Sequence, residues 1–121
     1  MIHYPKIIFC VLFILVGKIN AQSCNDLKAN FRTYDIAYNT LHKTRFNVNE
    51  RYDSFLSSWI KSFQYMSCDR RKGYLVMQTK KGQMYIHQNV SIKIWTALKR
   101  ASSKGTFYSN HLRGKYTLKL G

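Results

Sequence analysis

The chain has 121 residues, 45% of them hydrophobic, and its 20 Lys and Arg face only 5 Asp and Glu, which gives a formal net charge of +15. A length of this order suits one small domain. The charge favours phosphates, acidic polysaccharides or anionic lipid head groups as partners; the alternative is a charge that only keeps the protein soluble.

The first 21 residues have the layout of a secretory signal peptide. Lys6 precedes an apolar run over residues 7–16, and Ala21 precedes a cleavage site at Gln22. The run is shorter than the roughly twenty apolar residues that span a membrane. We therefore expect residues 1–21 to be cleaved and the rest to be secreted or periplasmic.

Two cysteines, Cys24 and Cys68, remain after cleavage. Their spacing does not fit a metal site, and cysteines of exported proteins usually pair. We expect one disulfide between them, with two unpaired cysteines as the alternative. No metal ion and no cofactor is predicted.

Residues 22–56 are predicted to form an N-terminal helical extension and a polar connector. The helix is expected from Ser23 to about Thr44, with Ser23 at its N-cap. Its apolar positions recur at steps of four and three: Leu27, Phe31, Tyr34, Tyr38 and Leu41. Residues 47–53 are polar and are predicted to connect this helix to the strands that follow.

Three antiparallel strands are predicted next, over residues 60–66, 74–79 and 83–88. Lys81-Gly82 makes the tight reversal between the last two strands. In the third strand Met84 and Ile86 share one face, and Tyr85 and His87 share the other.

Two helices are predicted after the strands. Ser91 caps the first, whose apolar stripe is Ile94, Trp95, Leu98 and Ala101. The second is short, begins at Ser102 or Ser103 and is stopped by Gly114.

The predicted fold class is therefore α+β, a three-stranded antiparallel β-meander followed by an amphipathic helix and a short second helix, with an added N-terminal helix. The C-terminal helices can cover only one face of the sheet. We expect the N-terminal helix to cover the face with Tyr85 and His87.

Three stretches in order carry a family resemblance. Ser57–Tyr65 has a serine pair before a short strand, and Gly82–Val90 has a glycine turn before a strand. Ala101–Tyr116 reads Ala-Ser-Ser-x-Gly, then two aromatics, then Arg-Gly-x-Tyr. Residues 57–116 thus resemble the KTSC domain, a short module named after the C-terminus of some lysyl-tRNA synthetases.

The resemblance implies a KTSC-like domain over residues 57–121 but no established activity. The synthetase context implies contact with RNA by analogy. His87 stands where the family usually has a second tyrosine, and Ser91 stands where it usually has proline.

Six residues are predicted to bind a polyanion: Lys104, Arg113, Lys115, Tyr85, His87 and Tyr108. Clustered cations neutralise phosphates, and nearby rings stack on bases. We therefore predict a non-catalytic binding module for a polyanion such as RNA or DNA, with no small-molecule substrate evident. The alternative is that the rings belong to the core and the cations are merely solvated.

Two other functions remain open in the sequence. One is a metal-independent ribonuclease that uses a pair from His42, His87 and His111, but their spacing does not bring them together. The other is a module that meets an acidic protein or an anionic envelope component through its positive face. We predict that the chain is not an enzyme.

Overall fold

A computed structural model describes residues 22–27, 30–54 and 56–121. The predicted signal peptide, residues 1–21, lies outside the described residues. No helix in the described ranges is long and apolar enough to cross a membrane. The elements in chain order are β1 (Gln22–Ser23), a 3₁₀ turn (Cys24–Asp26), α1 (Tyr34–Lys43), β2 (Thr44–Arg45), β3 (Val48–Asp53), β4 (Ile60–Ser67), β5 (Lys72–Thr79), β6 (Met84–Ser91), α2 (Ile92–Arg100) and α3 (Lys104–His111).

The main sheet is an antiparallel meander in the order β3-β4-β5-β6, and β1 and β2 form a small parallel pair. The α+β class is confirmed, but the meander has four strands where three were predicted. The polar connector is in fact β3, which pairs with β4 from Val48 opposite Ser67 to Asp53 opposite Ser62. As an edge strand it is exposed along almost its whole length, so it lacks the apolar alternation that marks other strands.

One hydrophobic core lies between the sheet and the two C-terminal helices. Its buried members are Ile60, Phe63, Tyr65, Leu75, Met77, Val90, Trp95, Leu98, Tyr108 and Leu112. Tyr65 stacks on Trp95 with ring centroids 5.4 Å apart, and its hydroxyl donates to the Val90 carbonyl at 2.8 Å. The predicted helices are confirmed here: Ser91 caps α2 and Ser103 caps α3.

A second core lies on the opposite face, under α1. It contains Phe31, Ala37, Leu41, Met66, Val76, Ile86 and Leu118. The predicted alternation along β6 is confirmed, because Tyr85 and His87 pair with Met77 and Leu75 of the first core. The predicted position of the N-terminal helix is wrong, since α1 covers the Ile86 face instead. Period-two spacing assigns residues to a common face but does not say which helix covers it.

The N-terminal helix is also shorter than predicted. It begins at Tyr34, and the Thr33 hydroxyl caps it by accepting from the Ile36 N–H at 3.2 Å. Ser23, the predicted cap, instead caps the 3₁₀ turn. Phe31 fits the helical spacing, but it lies before the helix, where it forms a β-bridge to Leu120 and belongs to the second core.

The disulfide between Cys24 and Cys68 is confirmed, with Cα atoms 5.8 Å apart. It joins the N-terminal 3₁₀ turn to the end of β4. At the other end of the chain, Gly114 adopts a φ of 74° after α3. The segment that follows runs along β6, where the Gln88 N–H donates to the Tyr116 carbonyl at 2.8 Å.

Candidate functional site

Trp59 is the centre of the candidate site. The Ser57 hydroxyl accepts from the N–H groups of Trp59 and Ile60 and so holds the turn that leads into β4. The indole ring meets the ring of Tyr108 edge-on at 5.9 Å, and the guanidinium carbon of Arg113 lies 5.2 Å from its centroid. Trp59 thus lines two neighbouring cavities.

The first cavity, here the aromatic cavity, has a volume of about 500 Å³. Its walls include Tyr34, Trp59, Tyr85, His87, Tyr108 and Arg113. Four of the six predicted binding residues therefore meet at one place. Tyr85 is 41% exposed, whereas His87 and Tyr108 are buried.

His87 holds the C-terminal segment and α3 together. Its Nδ1 lies 2.8 Å from the Lys115 carbonyl oxygen, and its Nε2 lies 2.7 Å from the Tyr108 hydroxyl. Because a carbonyl only accepts, Nδ1 carries the proton, and Nε2 accepts the proton of the Tyr108 hydroxyl.

Both groups of this pair are electrically neutral at neutral pH. Burial lowers the pKa of His87, although the Lys115 carbonyl partly opposes this. Burial raises the pKa of Tyr108 to about 12. His87 therefore adds no positive charge to the aromatic cavity, and Arg113 is the cation in its wall.

Arg113 is held by its backbone and leaves its side chain at the surface. Its N–H donates to the Tyr108 carbonyl at 2.9 Å. The guanidinium over Trp59 forms no ion pair with any described acid, because the ion pairs of the described residues are Arg51–Asp53 and Lys99–Glu50. A guanidinium over an indole still has its N–H edge available for an anion.

Lys104 and Lys115 lie outside the aromatic cavity. The Lys104 ammonium donates to the carbonyls of Lys99 and Ala101 at the end of α2, and it lies 5.0 Å from the ring centroid of Tyr52. The Lys115 ammonium is 3.4 Å from the Asn110 carbonyl, and the residue is exposed.

The second cavity, here the serine cleft, has a volume of about 680 Å³. It separates the β3–β4 connection from the start of α3, and Lys104 is in its wall. Its serines are Ser54, Ser57, Ser58, Ser102, Ser103 and Ser109. Trp59 and this cleft were missed by the sequence reasoning, although two serine pairs of the family motifs were available as a signal.

The three histidines proposed for a ribonuclease occupy different surroundings. His42 stacks on Tyr38 of α1 with centroids 4.1 Å apart, and His111 packs on Phe107 of α3 at 4.3 Å. His87 is buried and bonded through both ring nitrogens. Within the described ranges, no group of three or more His, Cys, Asp or Glu is placed to hold a metal ion.

A search of proteins with curated descriptions gave no match. A crystal structure of a KTSC domain protein from Yersinia pestis is 28% identical and aligns with 61% of this chain and 100% of that protein, at a TM-score of 0.49. The KTSC domain family model matches residues 56–116, about half of the chain. The resemblance predicted over residues 57–116 is thereby confirmed, and the chain belongs to the KTSC domain family.

Proposed function

We propose that the protein is a non-catalytic module that binds single-stranded nucleic acid at the aromatic cavity. The observation that carries the proposal is the Arg113 guanidinium over Trp59, beside the exposed ring of Tyr85. A strand that lies here can stack a base on a ring and place a phosphate at the guanidinium. The cavity of about 500 Å³ is also large enough for a base.

The surroundings of the histidines support binding without catalysis. General acid–base cleavage of RNA needs two imidazoles within reach of one phosphodiester. Here the Nε2 of His87 is bonded to Tyr108, while His42 and His111 stack on rings of different helices.

We also propose that residues 1–21 direct export of the protein. The Cys24–Cys68 disulfide supports this, because disulfides persist mainly in oxidising compartments.

The binding proposal is tested by charge reversal of the two cations that follow α3. Fluorescence anisotropy would compare labelled single-stranded RNA, single-stranded DNA and vesicles of phosphatidylglycerol as ligands of the purified protein. In Arg113→Glu/Lys115→Glu we expect affinity for the strands to fall roughly ten-fold or more. The melting temperature should stay within a few degrees, because both side chains are exposed.

The matched control is Lys93→Glu/Lys119→Glu, which changes the net charge equally at two exposed positions outside the aromatic cavity. It should lose much less affinity than the first variant. Equal losses of affinity in the two variants would mean that binding depends on net charge alone and not on the aromatic cavity. If the protein bound the vesicles but neither strand, its ligand would be an anionic envelope surface and not nucleic acid.

A further inference from the structure

The two edges of the main sheet differ in what covers them. Along β6, the C-terminal segment forms a bridge from Thr117 to His87, and the Gln88 N–H donates to the Tyr116 carbonyl. At the other edge, β3 pairs with β4 and with no other described strand. An uncovered edge presents a row of backbone N–H and C=O groups that can pair with a strand of another chain.

The pairing of β3 with β4 shows which backbone groups of β3 point away from the sheet. The Ser54 N–H donates to the Lys61 carbonyl at 3.0 Å, directly beyond the end of β3. These two residues therefore occupy a hydrogen-bonded position, and such positions alternate along an antiparallel pair. It follows that residues 49, 51 and 53 direct their backbone N–H and C=O groups away from β4.

The side chains of β3 alternate between the two faces of the sheet. The Glu50 carboxylate accepts from the indole N–H of Trp95 at 2.6 Å, so the even-numbered residues lie on the side of the C-terminal helices. Arg51 and Asp53 lie on the opposite side, where they form an ion pair at 3.0 Å with side chains 53% and 44% exposed. The outer edge of β3 thus carries a cation and an anion two residues apart.

This order of charges is complementary to itself in one antiparallel register. Two-fold symmetric pairing brings equal faces together, so one residue of β3 lies opposite its own copy. Centring the pair on Glu50 or on Arg51 places two like charges opposite each other. Centring it on Tyr52 places Arg51 opposite the partner's Asp53, and Asp53 opposite the partner's Arg51. Both of these are hydrogen-bonded positions, because residues 51 and 53 direct their backbone groups outward.

Tyr52 would lie at the centre of this register, opposite the partner's Tyr52. The position is a non-hydrogen-bonded one, where the Cα atoms of the two strands are about 4.5 Å apart. The Tyr52 residue is 37% exposed, and the Lys104 ammonium lies 5.0 Å from its ring centroid. Aromatic pairs across two strands stabilise an antiparallel sheet, so the two tyrosines add to the contact.

We propose that β3 is a dimerisation edge, through which two copies of this chain join their main sheets into one antiparallel sheet. The complementarity of Arg51 and Asp53 across the two-fold axis selects a second copy as the partner. One strand pair buries less surface than a standard interface, so the dimer is weak and depends on concentration. The described walls of the aromatic cavity contain no residue of β3, so dimerisation does not depend on nucleic-acid binding there.

The test measures the dissociation constant of the dimer by sedimentation equilibrium of the purified, nucleic-acid-free protein. The solution contains about 0.15 M salt, because this screens repulsion between the two positive copies beyond roughly 8 Å. We expect a monomer–dimer equilibrium in the wild type. Arg51→Asp gives the outer edge two acids and Asp53→Arg gives it two bases, so like charges lie opposite each other in both. Each substitution should raise the dissociation constant roughly ten-fold or more.

Mixing the two variants provides the decisive control. An equimolar mixture of Arg51→Asp and Asp53→Arg should form a heterodimer about as stable as the wild-type dimer, because each acid again lies opposite a base. The double variant Arg51→Asp/Asp53→Arg should recover in the same way. Lys93→Asp changes the net charge as Arg51→Asp does, at an exposed position of α2, and should keep the wild-type dissociation constant.

Three results would overturn the proposal. They are a monomer at every concentration, a dimer that neither single variant weakens, and weakened variants whose mixture does not recover. The melting temperatures of the single variants should stay within a few degrees of the wild type, because both side chains lie at the surface. Recovery in the mixture would also exclude unfolding as the reason for their weaker association.

Discussion

At the scale of single residues, His87 has a structural role, whereas the sequence analysis predicted that it binds the polyanion. It faces the aromatic cavity, but both ring nitrogens are bonded, one to the Lys115 carbonyl and one to the Tyr108 hydroxyl. These bonds fix the C-terminal segment and α3 against β6. The residue that replaces the usual family tyrosine therefore supports the wall that carries Arg113.

The His87 environment predicts a loss of stability in mild acid. Burial lowers the pKa of His87 in the folded protein below the ordinary value of 6.5. Above about pH 6.5 both states are neutral; as the pH falls further, the unfolded state takes up the proton first. The free energy of unfolding should therefore decrease as the pH falls through about 6.5 toward the lower pKa of His87 in the folded protein, as measured by urea denaturation.

Replacement of the histidine separates this effect from others. His87→Gln should be less stable at neutral pH but should show a flatter profile in this range, whereas His42→Gln, at an exposed position, should keep the wild-type profile. The pKa values of the Glu50 and Asp69 carboxyls lie below their ordinary values of 4.5 and 3.8, respectively. Protonation of these two groups therefore destabilises the protein only in more acidic solution than protonation of His87 does. An unchanged slope in His87→Gln would contradict the prediction.

At the scale of secondary-structure elements, the sequence predicted those whose partners lie close along the chain. The strands β4, β5 and β6 are joined by short turns, and α2 has an apolar stripe below a serine cap. β3 was missed because an exposed edge strand needs no apolar face. The extent of α1 was wrong because Leu27 and Phe31 keep helical spacing but pack outside the helix.

The candidate site was predicted in part for the same reason. Tyr108 and Arg113 come from one motif, and Tyr85 and His87 alternate on one strand, so local patterns found these four. The serine cleft joins the β3–β4 connection to the start of α3, about fifty residues later. The two serine pairs mark the two sides of this cleft in the sequence, but no local pattern shows that they meet, because the contact depends on how α3 packs against Trp59.

The disulfide predicts how strongly the N-terminal elements are held. Cys24 and Cys68 are 44 residues apart in sequence, and cross-linking a loop of this length stabilises a protein by roughly 3–4 kcal/mol in the chain-entropy model. Cys24→Ser/Cys68→Ser should therefore unfold at lower urea concentration by about this free energy. Amide hydrogen exchange in α1 should accelerate more than exchange in β5, because the bridge fastens the segment that precedes α1.

Reducing agent provides the control for this measurement. It should lower the stability of the wild type by a similar amount and leave the double variant unchanged. A difference below about 1 kcal/mol between wild type and variant would mean that the second core alone holds α1 in place.

At the scale of the whole molecule, the positive charge is spread over both ends of the sheet. Arg70, Arg71 and Lys72 lie at the β4–β5 turn, whereas Lys80 and Lys81 lie at the β5–β6 turn. Both ion pairs of the described residues lie at the surface and neutralise little of this charge. A polyanion is therefore attracted from many directions. The number of phosphates that are bound at a site is given by the salt dependence of the binding constant.

Salt titration should separate the aromatic cavity from this general attraction. The logarithm of the binding constant for a single strand falls with the logarithm of salt concentration by about 0.7 for each phosphate contacted. Arg113→Ala/Lys115→Ala should therefore reduce the slope by about 1.4 if each cation holds one phosphate. Lys93→Ala/Lys119→Ala removes the same charge elsewhere and should leave the slope nearly as it is. Equal slopes in all three proteins would place the phosphates away from Arg113, since a loss of net charge alone removes no contact.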